Sequence, residues 1–159
     1  MSVYVDKYKW TGQTTPRVTN SIKGQTFTPT ERKSVWQFYE VHFGRTLNKG
    51  ETVDTDLTFD FEDPQHSFVP FISTNIEEPT RQLKLALRVP LALGVTEVIC
   101  ETSSCIGARV PFQTETKQLD RDGYVEWPVP QPKMHHYYEL RWAKPVSAAG
   151  VPEQQKIML

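Results

Sequence analysis

Apolar and polar positions alternate regularly along two segments of the chain. In residues 52–62, every second position carries a side chain suited to a core, namely Val53, Thr55, Leu57, Phe59 and Phe61. Residues 81–89 repeat the pattern with Leu83, Leu85, Leu87 and Val89. Alternate residues of a β-strand lie on the same face of the sheet. The pattern therefore predicts two strands, each with one buried and one solvated face.

Local composition indicates further strands. Residues 35–43 are rich in aromatic and β-branched side chains, which favour a pleated surface. Weaker patterns predict strands over 66–73, 95–101, 108–119, 124–129, 135–142 and, near the N-terminus, 3–10. About eight strands at this spacing, without a convincing amphipathic helix, are typical of all-β domains. The sequence thus predicts an antiparallel two-sheet β-sandwich of jelly-roll or immunoglobulin-like type.

Two short turn motifs predict β-hairpins. Residues 47–51 contain Asn48 and Gly50, and residues 120–123 read Asp-Arg-Asp-Gly. Asn and Gly adopt the positive backbone angles that tight hairpin turns require. We therefore expect the strands on either side of each motif to be neighbours in one sheet.

The two ends of the chain differ from the middle. Residues 1–34 form a polar N-terminal arm, with room for one added strand and, at Pro29–Ser34, for one helical turn. The β-sandwich domain occupies residues 35–142. Residues 143–159 resemble a linker in composition and end in Ile-Met-Leu, for which fraying is a stronger expectation than docking.

Charge and hydropathy exclude two classes of partner. The chain has 18 Lys and Arg against 19 Asp and Glu, and the basic residues are scattered. A nucleic-acid partner normally requires a basic face, so none is expected. No apolar run approaches the ~20 residues that a membrane span requires.

The N-terminus and the cysteines bear on the cellular compartment. The first residues lack the basic and apolar regions of a signal peptide. Only two cysteines occur, Cys100 and Cys105, which are too few for a disulfide framework. We therefore expect a cytoplasmic protein, with a mature secreted chain cut from a longer precursor as the alternative.

Four histidines are the metal-ligand candidates. His135 and His136 are adjacent, so on a regular strand they would point to opposite faces and could not both bind one ion. A metal site would need His42 or His66, with a carboxylate such as Glu139, to join one of them. The spacing matches no known motif, so these four are weak candidates and no cofactor is expected.

Other reactive side chains have simpler explanations. Asp54, Asp56 and Asp60 could contribute to a calcium site, but a solvated face or a charged sheet edge explains them better. The two cysteines have no histidine nearby in sequence that would mark a catalytic thiol. The sequence therefore shows no nucleophile or acid–base constellation.

Aromatic residues near the C-terminal strand are the binding-site candidates. Tyr137, Tyr138 and Trp142 surround that strand, and Trp127 precedes a proline-rich run. Since neighbouring strand residues face opposite ways, we expect one of the two tyrosines to be exposed or to line a groove. Exposed tyrosine and tryptophan side chains often anchor protein interfaces.

These observations favour a non-enzymatic β-sandwich module that binds another protein or its own copies. Three alternatives remain open: a small jelly-roll metalloenzyme that uses the histidines, a viral or phage structural subunit, and a carbohydrate-binding module. A fold class alone does not choose among such functions.

Overall fold

The computed structural model describes residues 1–12, 14–64, 69–106 and 108–143, together with the backbone of residues 156–158. Twelve β-strands follow one another: β1 (Val3–Lys9), β2 (Arg17–Asn20), β3 (Thr26–Lys33), β4 (Trp36–His42), β5 (Leu57–Glu62), β6 (Phe71–Asn75), β7 (Gln82–Arg88), β8 (Glu97–Ser103), β9 (Gln113–Gln118), β10 (Tyr124–Pro130), β11 (Tyr137–Arg141) and β12 (Lys156–Met158). A 3₁₀ turn, Leu91–Leu93, is the only helical element in these ranges. Within them, no helix is long and apolar enough to cross a membrane.

The strands form three sheets. Sheet A has the order β1-β4-β3, sheet B the order β10-β7-β12-β5-β2, and sheet C the order β6-β11-β8-β9. Every pairing between these strands is antiparallel. The predicted all-β antiparallel class is confirmed. The strands predicted at 3–10, 35–43, 81–89 and 135–142 correspond to β1, β4, β7 and β11.

The first long alternating segment is a strand only in its second half, because β5 begins at Leu57. Before it, the carbonyl of Asp54 accepts a hydrogen bond from Gln25 Nε2 at 2.6 Å. The carbonyl of Asp56 likewise accepts one from the Ser21 N–H at 3.2 Å. These bonds join the segment to the connection between β2 and β3. The strand prediction was therefore wrong for the first part of this segment.

Both predicted hairpins are wrong, although both turns form. The Glu51 N–H donates to the Asn48 carbonyl at 3.0 Å, and the Gly123 N–H donates to the Asp120 carbonyl at 3.0 Å. However, β4 and β5 lie in different sheets, and so do β9 and β10. Gly123 has a φ of 71°, and a Cβ there would lie 2.2 Å from the Val89 carbonyl oxygen. These turns carry the chain between sheets rather than between neighbouring strands.

Three strands arise where the sequence pattern predicts none. β2 and β3 lie within the polar arm, where they pair with β5 and β4 respectively. Of the helical turn expected at Pro29–Ser34, residues 29–33 are instead strand, with a register shift between Pro29 and Arg32, and Ser34 begins the turn before β4. Near the C-terminus, β12 pairs with β5 and β7, so Ile157 and Met158 are placed in sheet B rather than frayed. The rest of the predicted linker, from residue 144 to 155, lies outside the described residues.

A hydrophobic core takes side chains from sheets B and C. Phe61, Leu87 and Trp127 enter it from sheet B, and Cys100 and Leu140 enter it from sheet C. Sheet A joins this core through aromatic contacts, for the Tyr8 and Phe59 ring centroids are 5.0 Å apart. Burial of these large apolar side chains is the main favourable contribution to folding.

Candidate functional site

Three of the four predicted aromatic binding residues lie in the core. Trp127, Tyr138 and Trp142 are each 4–5% exposed and belong to the same buried cluster. The Trp127 and Tyr138 ring centroids are 5.9 Å apart. The Tyr138 hydroxyl oxygen also accepts a hydrogen bond from the Lys133 N–H at 2.9 Å. These side chains hold sheet B against sheet C and are not available to a partner.

Tyr137 points away from that core, yet it is also only 4% exposed. The expectation that one of the two tyrosines is exposed is therefore corrected. The reason is that β11 lies inside sheet C, where Asn75 and Ser103 are directly opposite Tyr137 on the two neighbouring strands. Its hydroxyl is buried without a hydrogen-bond partner of normal geometry among the described residues. Burial raises the pKa of the Tyr137 hydroxyl.

Two carboxylates meet an arginine on the same face of sheet C. Glu139 on β11 is directly opposite Glu101 on β8. The Arg141 guanidinium forms an ion pair with Glu101, and its Nε lies 3.6 Å from Glu139 Oε1. Burial raises the pKa of Glu139, and the positive charge of Arg141 opposes that shift. The arginine thus neutralises a pair of like charges that would otherwise repel across the ladder.

The histidines do not assemble into a metal site in the part of the chain that the structure describes. His42 Nε2 lies 3.0 Å from Glu40 Oε2 on the same strand. His136 packs against Phe112, with ring centroids 5.0 Å apart, while His135 has a φ of 61° at a turn. His66 lies outside the described residues. Among those residues, no three His, Cys, Asp or Glu side chains come close enough to hold an ion.

A half-buried aspartate on β1 links two strands of sheet A. Asp6 Oδ2 accepts hydrogen bonds from the Tyr4 and Tyr39 hydroxyls, both at 3.1 Å. Asp6 Oδ1 accepts one from the Lys7 N–H at 2.8 Å. Burial raises the pKa of Asp6, and these three hydrogen bonds oppose that shift. The sequence does not reveal this cluster, because Asp6 and Tyr39 are far apart along the chain.

The opposite face of sheet A carries apolar side chains at the surface. Val3 and Val5 on β1 are 40% and 58% exposed. Next to them, the Lys7 Nζ lies 5.6 Å from the ring centroids of both Trp36 and Phe38, which are half-buried. We call this surface, consisting of Val3, Val5, Lys7, Trp36, Phe38 and Lys33, the lysine-capped aromatic face.

Lys7 and Lys33 on this face differ in their ionic partners. Lys33 Nζ lies 5.7 Å from the Phe38 ring centroid and 2.9 Å from Glu31 Oε2. Lys7 has no ion-pair partner among the residues that the structure describes. The Lys7 ammonium therefore lies beside two rings without a direct ionic contact, and Glu40, which is directly opposite Val5 on the same face, pairs with His42 instead. Alternation over residues 3–9 already places Val3, Val5 and Lys7 on one face, so the sequence contained this signal.

Two surface cavities lie away from all of these residues. One, of about 480 Å³, is lined by residues 117–120 and 124–126. The other, of about 200 Å³, is lined by Thr14, Thr15, Arg17, Asp60 and Glu62. Neither lining contains a histidine or a cysteine.

Comparison with known proteins adds no relative from which a function could be transferred. No family model, no curated protein and no solved structure matches the chain. The arrangement of its own side chains is therefore the basis for a functional assignment. Of the surfaces described above, the lysine-capped aromatic face combines exposed apolar area with a lysine that has no ion-pair partner among the described residues.

Proposed function

We propose that this protein is a non-enzymatic β-sandwich binding module that recognises a protein partner through the lysine-capped aromatic face. The observation that carries the proposal is the Lys7 ammonium, which lies over Trp36 and Phe38 without a carboxylate partner among the described residues. A partner carboxylate at Lys7 would form a charge-assisted contact next to apolar surface. Val3 and Val5 would receive an apolar side chain of the same partner.

The residue types on this face support a protein partner. Tryptophan and other aromatic residues are enriched in the centres of protein interfaces, where they contribute much of the binding energy. Long lysine stems also cover apolar area while keeping the ammonium available. An acidic segment that carries one or two apolar side chains would complement the face in both charge and hydropathy.

Sheet A is better suited to recognition by its face than by its β3 edge. β3 contains Pro29, which has no N–H to donate, and its pairing with β4 shifts register between Pro29 and Arg32. Prolines and bulges on edge strands oppose the addition of another strand. A partner that extended the sheet at this edge would meet both obstacles.

The non-enzymatic part of the proposal is supported by the way three half-buried carboxylates are engaged. Asp6 accepts two tyrosine hydroxyls, and Arg141 pairs with Glu101 and Glu139. A general base needs a free lone pair within reach of a substrate proton. A cytoplasmic location is also part of the proposal, since the exposed Cys105 thiol is best preserved in a reducing compartment.

Site-specific photo-crosslinking in the native cells tests this function. Benzoylphenylalanine placed at Val5 is expected to give a discrete covalent adduct in the full chain. The matched control places it at Lys84, an exposed position on the outer face of sheet B. Lys7→Glu combined with Trp36→Ser is expected to reduce the Val5 adduct at least about tenfold, since interface hot spots contribute 2 kcal/mol or more.

The mass of the adduct identifies the partner class. An adduct of twice the chain's mass would mean that the partner is a second copy, and any other discrete mass would mean a different protein. The proposal fails if position 5 gives no adduct, if position 84 gives the same adduct, or if Lys7→Glu with Trp36→Ser leaves the yield unchanged.

A further inference from the structure

The free edge of sheet C is formed by β9, the last strand in its order. None of the described strands pairs with the outer side of β9. Its pairing with β8 runs without a register shift from Gln113 to Gln118, and the strand contains no proline. Such an edge presents a row of backbone N–H and C=O groups that can pair with another strand.

The other edges of the three sheets each carry an obstacle that β9 lacks. β3 contains Pro29 and a register shift, and β10 contains Pro128 and Pro130. β2 is only four residues long. β1 and β6 lie beside each other, since the Lys9 Nζ is 5.2 Å from the Phe71 ring centroid. Among the described strands, β9 is therefore the edge best suited to the addition of another strand.

The hydrogen bonds of the β8–β9 ladder show which backbone groups of β9 face outward. Just beyond β9, the Leu119 N–H donates to the Thr96 carbonyl at 2.9 Å, in continuation of the ladder. Residues of an antiparallel strand bond alternately to one side and to the other. The odd-numbered residues of β9 therefore bond to β8. The N–H and C=O groups of Thr114, Thr116 and Gln118 point away from it, toward the free side.

The charged side chains of β9 complement a second copy of the same strand. Glu115 and Lys117 lie on one face of β9, on either side of Thr116. When two copies pair antiparallel about a two-fold axis at Thr116, Glu115 of each copy lies directly opposite Lys117 of the other. An axis at Glu115 or at Lys117 instead brings two like charges face to face. Facing opposite charges stabilise a ladder and facing like charges destabilise it, so the charge pattern selects one register.

We propose that two copies of this protein associate through β9 and join their copies of sheet C into one continuous sheet. Thr114, Thr116 and Gln118 of each copy exchange backbone hydrogen bonds with the other copy. Such a contact uses the same surface on both molecules, which is the commonest arrangement in homodimers. A lysine on an edge strand ordinarily opposes strand addition, and here Lys117 excludes the registers in which it would meet itself. The inference concerns a different surface from the lysine-capped aromatic face and does not depend on it.

The surroundings of the two charged residues leave them available to a second copy. The side chains of Glu115 and Lys117 are 40% and 30% exposed, and Lys117 Nζ lies 3.8 Å from Glu115 Oε1. The cavity of about 480 Å³ that adjoins Lys117 also contains Asp120 and Glu126. Asp120 accepts hydrogen bonds from two backbone N–H groups, and Glu126 forms an ion pair with Lys84. Both of these carboxylates therefore already have partners within the chain.

Two further carboxylates near this edge belong to β8. Glu97 and Glu101 lie directly opposite Gln118 and Thr114, so they are on the other face of sheet C from the charged residues of β9. Glu97 Oε2 accepts a hydrogen bond from Gln118 Nε2 at 3.0 Å, and Glu101 pairs with Arg141. Neither carboxylate therefore lies beside the proposed charge pairs.

Sedimentation equilibrium of the full chain, at concentrations up to about 1 mM, tests this inference. The unchanged protein is expected to dimerise. Lys117→Glu places a carboxylate opposite Glu115, and Glu115→Lys places an ammonium opposite Lys117. Each variant is therefore expected to raise the Kd of the dimer at least about tenfold. An equimolar mixture of the two variants should dimerise again, because every facing pair then carries opposite charges.

The mixture separates association from folding, because two variants that could not fold would not dimerise with each other. Lys49→Glu is the matched control, since it changes the net charge by the same amount at an exposed turn. It should dimerise as the unchanged protein does. The inference is overturned if the unchanged protein is monomeric at every concentration or if Lys117→Glu dimerises as tightly as the unchanged protein. A mixture that associates no more than either variant alone would also overturn it.

Discussion

Trp127→Ala is expected to lower the free energy of unfolding by about 3–5 kcal/mol, the usual cost of removing a buried aromatic side chain. Trp127 is 5% exposed and packs against Tyr138 across the core. It also lies directly opposite Leu85 in the pairing of β10 with β7. Truncation would leave a cavity between sheets B and C that the surrounding strands cannot close. Urea denaturation followed by circular dichroism measures the loss.

Trp36→Ala is the matched control for this change. Trp36 is half-buried on the outer face of sheet A, so its truncation removes less buried area and leaves no enclosed cavity. We expect a loss of about 1 kcal/mol, in line with the smaller apolar area removed from water. If Trp127→Ala were as mild as Trp36→Ala, Trp127 would have to be a surface residue, and the core described above would be wrong.

Asp6→Ala is expected to cost about 1–3 kcal/mol, because it leaves the Tyr4 and Tyr39 hydroxyls without their acceptor. Tyr39 is 5% exposed, so water cannot readily replace the lost hydrogen bond. Asp6→Asn keeps a side-chain oxygen at the same position and should cost less than half as much. Thermal denaturation of the two variants alongside the unchanged protein measures both losses. If Asp6→Asn cost as much stability as Asp6→Ala, the cluster would require the negative charge of Asp6 and not only a hydrogen-bond acceptor at that position.

The same cluster makes a prediction about pH. Burial raises the pKa of Asp6 in the folded protein, whereas the carboxyl titrates near 3.9 in the unfolded chain. Between these two values the folded state binds more protons, so acidification favours folding through this group. The stability of the unchanged protein, relative to Asp6→Asn, should therefore rise as the pH falls from about 7 towards 4. A difference that stayed flat, or fell on acidification, would contradict a raised pKa.

The strands that could be predicted are those in which apolar residues occupy every second position, because this alternation indicates one buried face. Leu83, Leu85 and Leu87 alternate with Lys84, Ala86 and Arg88, and β7 packs the leucines into or against the core as expected. β2 and β3 could not be predicted in this way. Their residues are mostly polar and exposed, and what makes them strands is pairing with β5 and β4, which are distant in sequence.

Sheet membership could not be predicted from turn motifs. Asn48 and Gly50 specify a tight change of direction, as do Asp120 and Gly123, and both turns form. A turn fixes local geometry, but the buried faces of the following strands decide which sheet they join. Here β5 and β10 both pair within sheet B, and their apolar side chains enter the hydrophobic core. Each turn therefore connects two sheets rather than two neighbouring strands.

The candidate aromatic site illustrates the same limit. Alternation correctly implies that Tyr137 and Tyr138 face opposite ways, but it does not tell whether the second face is open. In sheet C the Tyr137 side chain is only 4% exposed, and Asn75 and Ser103 flank it on the two neighbouring strands. By contrast, the surface on which Val3, Val5 and Lys7 lie together remains open. The sequence alone does not show that this surface includes aromatic rings, because Trp36 and Phe38 lie on β4 and reach it only through the pairing of β4 with β1.

Fluorescence quenching distinguishes an available aromatic surface on sheet A from one around Tyr137–Trp142. Of the four tryptophans, Trp10, Trp127 and Trp142 are buried, and Trp36 is half-exposed, beside Lys7 and directly opposite Lys33 on β3. Iodide should therefore quench one emitting component, more strongly than caesium does, and Trp36→Phe should remove that component. If iodide quenched Trp36→Phe as strongly as the unchanged protein, a tryptophan assigned to the core would be exposed, and the binding face would have to be sought at Trp127 or Trp142.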